Sequence, residues 1–252
     1  MPKAPKNPEE VLPLVEDHLK QVFGQHLISA TLYGSAAGGE YRPGLSDLNI
    51  LVVVKAEGLA DLDRLALFQN QWQKKKVAPP LVVSPQEIDQ SLDSFPLEFL
   101  NMKLQHRTFF GPDPLAGLAI DRADLRLQCE RELRGKLLLL REAVLSSAGR
   151  EEALRETALV SIKAFVAIFR GVLYLLGQEA GPVPADQVLS RAAQQLGLAQ
   201  GQALTSIWEM RESKKLAKGQ IKDLFRAYLA AVAEAAAHID CLSIKEEEAT
   251  NE

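Results

Sequence analysis

The chain has 252 residues and a mass of 27.7 kDa, which is enough for one large domain or two ordinary domains with a substantial buried core. Hydrophobic residues make up 47% of the chain and charged residues 25%, which excludes a disordered or collagen-like protein. The formal net charge of −4 argues against a general nucleic-acid coat protein and against a polybasic membrane-binding protein.

The cysteine content and the first residues indicate a cytoplasmic protein. Cys129 and Cys241 are the only cysteines, so no disulfide framework is expected and a reducing compartment is favoured. The start, MPKAPKNPEEVLPLVEDHL, has prolines and acidic residues where a signal peptide needs an apolar segment. The apolar stretch 158–176 contains Lys163 and Arg170, each of which costs roughly 2.5–3.5 kcal/mol near a bilayer centre. We therefore predict a buried amphipathic helix there and no membrane association.

The first 120 residues alternate between helical and strand-like segments. Asn7, Pro8 and Glu10 form a helix-start pattern, and Gly24 ends the helix that follows. The predicted strands are residues 26–33, 48–54 and 81–83, with an edge strand at 95–102. A helix is predicted over residues 59–76, and Ser84 is predicted to cap another short helix. These elements predict a small mixed sheet with helices packed on one face.

After residue 120 the strand-like runs disappear and long segments of helical period follow. One apolar stripe is Leu133, Leu137, Leu140 and Val144, and a second is Ala158, Ile162, Phe165, Phe169, Val172 and Leu176. Further helices are predicted near residues 186–196, 201–215 and 220–240. The fold class is therefore α+β, with a domain of a mixed sheet and helices over residues 1–120, an all-α helical bundle over 121–243 and a disordered acidic tail over 244–252.

The chemically informative run is residues 32–54, LYGSAAGGEYRPGLSDLNILVVV. Gly34 and Ser35 follow a predicted strand, and Asp47 and Asn49 enter the next one. Because strand side chains alternate, Asp47 and Asn49 are expected on one face. A small residue with free N–H groups can hold phosphate oxygens, and oxygen ligands two positions apart can bind Mg²⁺. The pattern predicts phosphoryl or nucleotidyl transfer.

This order of Gly-Ser, spacer and Asp-x-Asn within strand, loop and strand resembles the signature of the DNA polymerase β-like nucleotidyltransferase superfamily. The helical half resembles, in outline, that of aminoglycoside nucleotidyltransferases, and the motif resembles a poorly characterised bacterial branch. The resemblance implies that Gly34 and Ser35 hold a triphosphate. It also implies that Asp47 and residue 49 coordinate Mg²⁺ and align the α-phosphate for attack by a substrate hydroxyl.

Two departures from that family pattern concern the acidic residues. Asn49 offers a neutral carbonyl oxygen in place of a second carboxylate, and one unit charge about 4 Å from a partner is worth about 4 kcal/mol at an effective dielectric near 20. The third carboxylate is expected on the next core strand, yet residues 78–84, APPLVVS, contain no acid. Glu98 is the best displaced candidate for a catalytic carboxylate, and Glu87 is a weaker one.

Two basic residues are candidates for nucleotide binding, each with a simpler alternative. Arg42 lies in the loop and can neutralise a phosphate, or it can be an ordinary solvated arginine. Lys163, in the helical half, can bind a phosphate. Alternatively, Lys163 and Arg170 can pack their alkyl chains over apolar surface at the edge of the core. The basic patch of Lys214, Lys215 and Lys218 is more typical of a solvated helix face than of a nucleic-acid site.

The sequence thus predicts an Mg²⁺-dependent nucleotidyltransferase that moves a nucleoside monophosphate from a nucleoside triphosphate, with ATP expected, to a hydroxyl of an unknown small-molecule or protein acceptor. The ligands are expected between the two domains. The alternative is a catalytically inactive nucleotidyltransferase-fold module that binds a nucleotide or a partner and regulates it. A third alternative is a scaffold whose helical half forms homo-oligomers. General nucleic-acid binding is not expected.

Overall fold

A computed structural model describes residues 5–44, 46–178, 183–211 and 220–243. The chain divides into two compact units, Met1–Ile120 and Asp121–Glu252. Three predictions lie outside the described residues: the acidic tail at 244–252, the basic patch of Lys214, Lys215 and Lys218, and the last part of the predicted helix at 201–215.

The first unit contains a four-stranded mixed sheet. Its strands are β1 (Leu27–Tyr33), β2 (Asn49–Val54), β3 (Leu81–Val83) and β4 (His106–Phe110). Its helices are α1 (Leu12–Phe23), α2 (Leu62–Ala66), α3 (Gln69–Lys74), α4 (Pro85–Ser91) and α5 (Pro96–Leu104). The strand order is β3-β2-β1-β4, with β1 antiparallel to β2 and β4 and with β2 parallel to β3. The predicted mixed sheet and the α+β class are confirmed.

One face of this sheet packs on the apolar stripe of α1. The stripe residues Leu12, Val15, Leu19 and Val22 are all buried, as their helical spacing predicts. They share a core with alternate residues of the two central strands, which are Ala30, Leu32, Ile50, Val52 and Val54. Trp72 of α3 is fully buried in the same core and donates its Nε1–H to Nδ1 of His18, 3.0 Å away.

The opposite face of the sheet is buried as well, so the prediction of helices on one face is wrong. Ser29 pairs with Val53 and Thr31 pairs with Leu51 across β1 and β2, and all four side chains are buried. Helix α4 lies along this face, because its Ile88 lines the same cavity as Ser29 and Val53. The physical reason lies in β2, NILVVV, which has no polar alternation after its first residue and so needs cover on both sides.

The segment that follows α4 also differs from the prediction. Residues 95–102 do not form an edge strand; Pro96 stands at the start of α5, where its fixed φ and missing N–H suit the first helical turn. Leu97 and Leu100 are buried at helical spacing, and Asn101 donates a side-chain hydrogen bond to the carbonyl of Leu97. The edge strand is instead β4, which pairs with β1.

Two further helix boundaries differ from the prediction. Asn7 caps a 3₁₀ turn, Pro8–Glu10, by accepting from the N–H of Glu9 (3.1 Å), and the α-helix begins only at Leu12. The single helix predicted over residues 59–76 is a 3₁₀ segment, Ala56–Asp61, followed by the two short helices α2 and α3.

The described part of the second unit is helical. Its helices are α6 (Arg122–Ser146), α7 (Glu151–Leu175), α8 (Ala185–Gln195), α9 (Gln202–Met210) and α10 (Gln220–Asp240). The predicted apolar stripes of α6 and α7 are buried except at their last members, Val144 and Leu176, which are 42% exposed and partly buried respectively. Two fully buried side chains, Phe165 of α7 and Tyr228 of α10, meet edge to face with ring centroids 5.5 Å apart.

Helix α7 is long and apolar enough to cross a membrane by length and composition alone. However, 61% of its most apolar window is buried inside the protein. It also carries Arg170, which is 8% exposed and donates to the carbonyl of Val183 (3.4 Å). These features are those of a core helix.

Candidate functional site

The candidate site begins at a tight turn directly after β1. Gly34 has φ +76°, a left-handed conformation that favours glycine, and it opens a 3₁₀ turn, Gly34–Ala36. Its N–H donates to the carbonyl of Gln105 (2.8 Å), and its own carbonyl accepts from the N–H groups of Ala37 and Gly38, both at 2.9 Å. Residues 34–38, called here the glycine loop, are thereby fixed to the start of β4.

Asn49 lies against this loop. It is the first residue of β2 and pairs with Tyr33, the last residue of β1. A Cβ atom added to Gly34 would stand 3.4 Å from Nδ2 of Asn49, so the amide lies directly beside the backbone of Gly34. The structure therefore brings together two of the predicted site residues, Gly34 and Asn49, while Ser35 follows in the same turn with a partly buried side chain.

A second turn leads into β2 and presents Asp47. The N–H of Arg42 donates to Oγ of Ser46 (3.0 Å), and the N–H of Ser46 donates to the carbonyl of Arg42 (2.9 Å). Leu48 is fully buried between exposed Asp47 and half-buried Asn49, which is the alternation of an extended chain. Arg42 has an exposed side chain.

Asp47 acts electrostatically on a neighbouring phenol. Burial raises the pKa of Tyr41 above its ordinary value, and the carboxylates of Glu10 and Asp47 raise it further. The Tyr41 hydroxyl donates to the carbonyl of Pro5 (2.9 Å). Tyr41 thus stays protonated at neutral pH and borders the Asp47 carboxylate.

The opposite side of the site is formed by His106. Tyr33 pairs with Asn49 on one side and with His106 on the other, so these three residues form a row across the sheet. His106 Nδ1 lies 2.9 Å from the carbonyl of Lys103, and Nε2 lies 2.9 Å from Oδ2 of Asp113. These two contacts fix the orientation of the His106 ring beside Tyr33.

Asp113 and Tyr33 have shifted pKa values for different reasons. Burial tends to raise the pKa of Asp113, but the hydrogen bond from His106 and the N–H of Leu115 (2.9 Å) hold it below its ordinary value. Burial raises the pKa of Tyr33. Neither group provides a base for an acceptor hydroxyl near neutral pH.

The structure does not supply the missing third carboxylate on a neighbouring strand. Neither β3 (LVV) nor β4 (HRTFF) contains an acid. Glu87 is engaged in a capping box, where its Oε2 accepts from the N–H (2.7 Å) and the hydroxyl (2.9 Å) of Ser84. Glu98 lies in the first turn of α5 with an exposed side chain, and Lys163 is exposed on α7 of the second unit. The roles of Glu98 and Lys163 stay predictions.

The oxygen atoms of Asp47 and Asn49 determine which kind of metal binding the site can support. Within the described ranges, no three or more His, Cys, Asp or Glu side chains are grouped as metal ligands. Asp47 offers one carboxylate and Asn49 one amide oxygen. This set fits an Mg²⁺ ion that takes its other ligands from phosphates and water, as protein-bound Mg²⁺ commonly does, and it does not fit a cage built by the protein alone.

Sequence reasoning missed Gln105, whose backbone carbonyl holds Gly34 and whose side chain lies under Gly38. It stands at the junction of α5 and β4, next to the segment that was predicted as a strand. Nothing in a single sequence identifies such a residue, because its position depends on the pairing of β4 with β1.

Comparisons with known proteins agree with this architecture. Residues 13–102 match the family described as "Nucleotidyltransferase domain". A sequence comparison with curated proteins found no match. Among solved structures, the chain is similar to spectinomycin adenyltransferase AAD(9) from Enterococcus faecialis, crystallised with ATP and spectinomycin; the TM-score is 0.53 at 12% identity, over 93% of this chain and 100% of that chain. The matched residues contain the glycine loop, Asp47 and Asn49, so residues 13–102 match a nucleotidyltransferase domain, which is followed by a helical region in the same α+β fold as the structural neighbour.

Proposed function

We propose that the protein transfers the adenylyl group of ATP to a hydroxyl of a small-molecule acceptor. The observation that carries the proposal is the contact of Asn49 with the left-handed turn at Gly34, with Asp47 two residues before Asn49, in a nucleotidyltransferase domain. The choice of ATP and of a small acceptor is supported by the structural neighbour, which was crystallised with ATP and spectinomycin.

The residues have separate proposed roles. The hydroxyl of Ser35 and the backbone of the glycine loop bind phosphate oxygens, and Gly34 lets the chain turn there with a positive φ. Arg42 and Lys163 are the predicted cationic contacts to the triphosphate. Asp47, with the weaker oxygen donor Asn49, orients Mg²⁺, which when bound neutralises charge on the phosphates.

The reaction is an in-line displacement at the α-phosphorus. The acceptor oxygen forms a bond to the α-phosphorus, the bond from that atom to the bridging oxygen of the β-phosphate breaks, and pyrophosphate leaves with the electron pair. The hydroxyl proton passes to solvent or to Glu98, the predicted acid that is exposed on α5. Because phosphoryl-type transition states are loose, positioning and charge neutralisation contribute more than deprotonation of the acceptor.

The proposal is tested by measuring ATP binding and pyrophosphate release in the presence of Mg²⁺. Wild-type protein should be stabilised against thermal unfolding by Mg-ATP, by about 2.7 kcal/mol at a concentration 100 times the Kd. It should release pyrophosphate with an acceptor from a panel of hydroxyl compounds that includes spectinomycin.

Asp47→Ala should lower pyrophosphate release by about a thousandfold, because a unit charge about 4 Å from the metal is worth about 4 kcal/mol. Asp89→Ala is the matched control, since Asp89 is an exposed aspartate on α4 in the same unit. An Asp47→Ala variant with wild-type turnover would refute the proposal.

A second candidate function is a nucleotide-binding module without turnover. The observations that favour it are the amide of Asn49 in place of an acid and the absence of acids from β3 and β4. In that case Asn49→Asp should bind Mg-ATP more tightly than the wild type while neither protein releases pyrophosphate. Release of pyrophosphate by the wild type with any acceptor excludes this alternative.

A further inference from the structure

Gln105 contacts the glycine loop with both its main chain and its side chain. Its carbonyl accepts the N–H of Gly34 at 2.8 Å. Its side chain lies against Gly38, where an added Cβ would be 2.6 Å from Nε2, 2.8 Å from Cδ and 3.1 Å from Cγ. One residue therefore supports the loop at both ends, and Gly38 is a glycine because the amide of Gln105 occupies the space of a side chain.

The Nε2 donor of Gln105 makes no hydrogen bond within the described part of the chain. The residue is only 4% exposed, and its Nε2 is buried without a hydrogen-bond partner in the described part of the chain. A buried donor left unpaired costs about 1–3 kcal/mol, and a methionine of the same length would fill the space without that cost. The folded state without ligand therefore does not explain the choice of glutamine at this position.

The amide of Gln105 lies against Gly38, which has no side chain and belongs to the loop proposed to bind phosphate. A small displacement of the Gly38 backbone would uncover Nε2 toward the loop. Two loop carbonyls already accept hydrogen bonds: that of Gly34 accepts two, and that of Ser35 accepts the N–H of Glu40 (3.0 Å). A bound triphosphate, in contrast, brings several strong and unpaired acceptor oxygens to this place.

We propose that Gln105 is a further nucleotide-binding residue, whose Nε2 donates a hydrogen bond to a phosphate oxygen of the bound triphosphate when Gly38 moves aside. The inference rests on the proposed function. It assigns a binding role to a residue outside the Gly-Ser and Asp-x-Asn motif, and it explains both the orphaned donor and the glycine above it.

The test compares Gln105→Met with wild type in two measurements: the melting temperature without ligand and the Kd for Mg-ATP. We expect Gln105→Met to melt at the same temperature or higher, because a buried unpaired donor is removed, and to bind Mg-ATP at least tenfold more weakly. Gln90→Met, at an exposed position on α4, is the matched control and should change neither value. A Gln105→Met variant that binds Mg-ATP with the wild-type Kd overturns the inference.

A second variant approaches the same contact from the loop. Gly38→Ala places a Cβ against the Gln105 amide and should also weaken Mg-ATP binding at least tenfold, whereas Gly117→Ala, at an open position in the same unit, should not. If Gln105→Met does not fold, the proposal is tested with Gly38→Ala and Gln105→Glu. Glutamate has the shape of glutamine but its charge repels phosphate, so Gln105→Glu should bind Mg-ATP more weakly. Wild-type affinity for Mg-ATP in both of these variants overturns the inference. Wild-type protein that binds no Mg-ATP refutes the proposed function and with it this role, whereas wild-type binding with unchanged variants refutes Gln105 alone.

Discussion

The two units of the chain differ in secondary structure, although each contains polar contacts between residues that are far apart in the sequence. In the first unit, polar contacts join distant parts of the sequence: the hydroxyls of Thr31 and Thr108 lie 2.9 Å apart, and Trp72 donates to His18. In the second unit, Arg122 of α6 likewise donates to the distant carbonyl of Leu175 in α7 (2.7 Å). Other ion pairs there lie within a single helix, as Glu132 with Lys136 does at i,i+4 spacing. The first unit is thus built around paired strands, whereas the described part of the second is built from helices that bury their apolar stripes.

Both units contain buried polar groups, and the first unit has one beside the glycine loop. The first unit leaves Oγ of Ser29 and Nε2 of Gln105 buried without a partner among the described residues. In the second, the fully buried hydroxyl of Tyr228 is 3.0 Å from Oγ of Ser161, and burial raises the pKa of Tyr228 far above its ordinary value despite this hydrogen bond. The unpaired Nε2 of Gln105 lies beside the glycine loop, where a ligand is proposed to bind.

The largest expected effect is on the core of the second unit. Phe165→Ala removes a fully buried ring that contacts Phe169 and Tyr228, and it should destabilise this unit by about 3–5 kcal/mol. Each unit contains one tryptophan, Trp72 in the first and Trp208 in the second. In a Trp208→Phe background, tryptophan fluorescence reports the unfolding of the first unit, and in a Trp72→Phe background it reports the unfolding of the second. Equal loss of stability at both tryptophans would show that the two units unfold together and are not independent.

A smaller effect is expected from the helix caps, which offer a matched pair across the units. Ser84 caps α4 with a capping box, and Asp121 caps α6 by accepting from the N–H groups of Ala123 (2.7 Å) and Asp124 (2.9 Å). Ser84→Ala and Asp121→Ala should each cost about 1 kcal/mol in urea unfolding. Ser84→Ala should act mainly at the Trp72 reporter and Asp121→Ala at the Trp208 reporter; the reverse pattern would contradict the division into units.

Acidification should weaken the first unit through His18. Burial lowers the pKa of His18 below 6.5, although Asp17 opposes the shift, and neutral Nδ1 accepts the hydrogen bond from Trp72. The pKa of His18 is lower in the folded state than in the unfolded state. The stability that neutral His18 contributes to the first unit is therefore complete above about pH 6.5, and it is lost as the pH falls toward the pKa of the folded state. His18→Asn keeps an acceptor that does not titrate, so the fall in Trp72-reported stability between pH 7 and 5 should shrink; an unchanged fall would assign it to other groups.

The smallest effect is expected for an exposed ion pair of α10. Arg226 and Asp223 are 2.9 Å apart, and their side chains are 80% and 81% exposed. Solvent screens such a pair, so Arg226→Ala should change the stability of the second unit by less than about 0.5 kcal/mol. A loss above 1 kcal/mol in urea unfolding would show that local charge pairs, and not apolar burial, stabilise this unit.

Much of this fold could be predicted from the sequence where the signal is local. The spacing of Leu12, Val15, Leu19 and Val22 predicted the buried face of α1, and α10 ends at the predicted Asp240. The segment after Ser94 could not be predicted, since its apolar residues suit a strand or a helix and Pro96 is compatible with both the start of a helix and the edge of a sheet. The candidate site follows the same division: spacing identified Gly34, Asp47 and Asn49, and the pairing of β4 was needed to find Gln105.

The sequence by itself determined the α+β class, the helical second half and the motif at Gly34, Asp47 and Asn49, because period, caps and turn residues act within a few positions of the chain. The tertiary structure alone decided that both faces of the sheet are covered, that His106 stands beside Tyr33 and that the amide of Gln105 lies under Gly38. These contacts join residues as far apart as Tyr33 and His106. Their geometry is set by the register of paired strands, which no local pattern encodes.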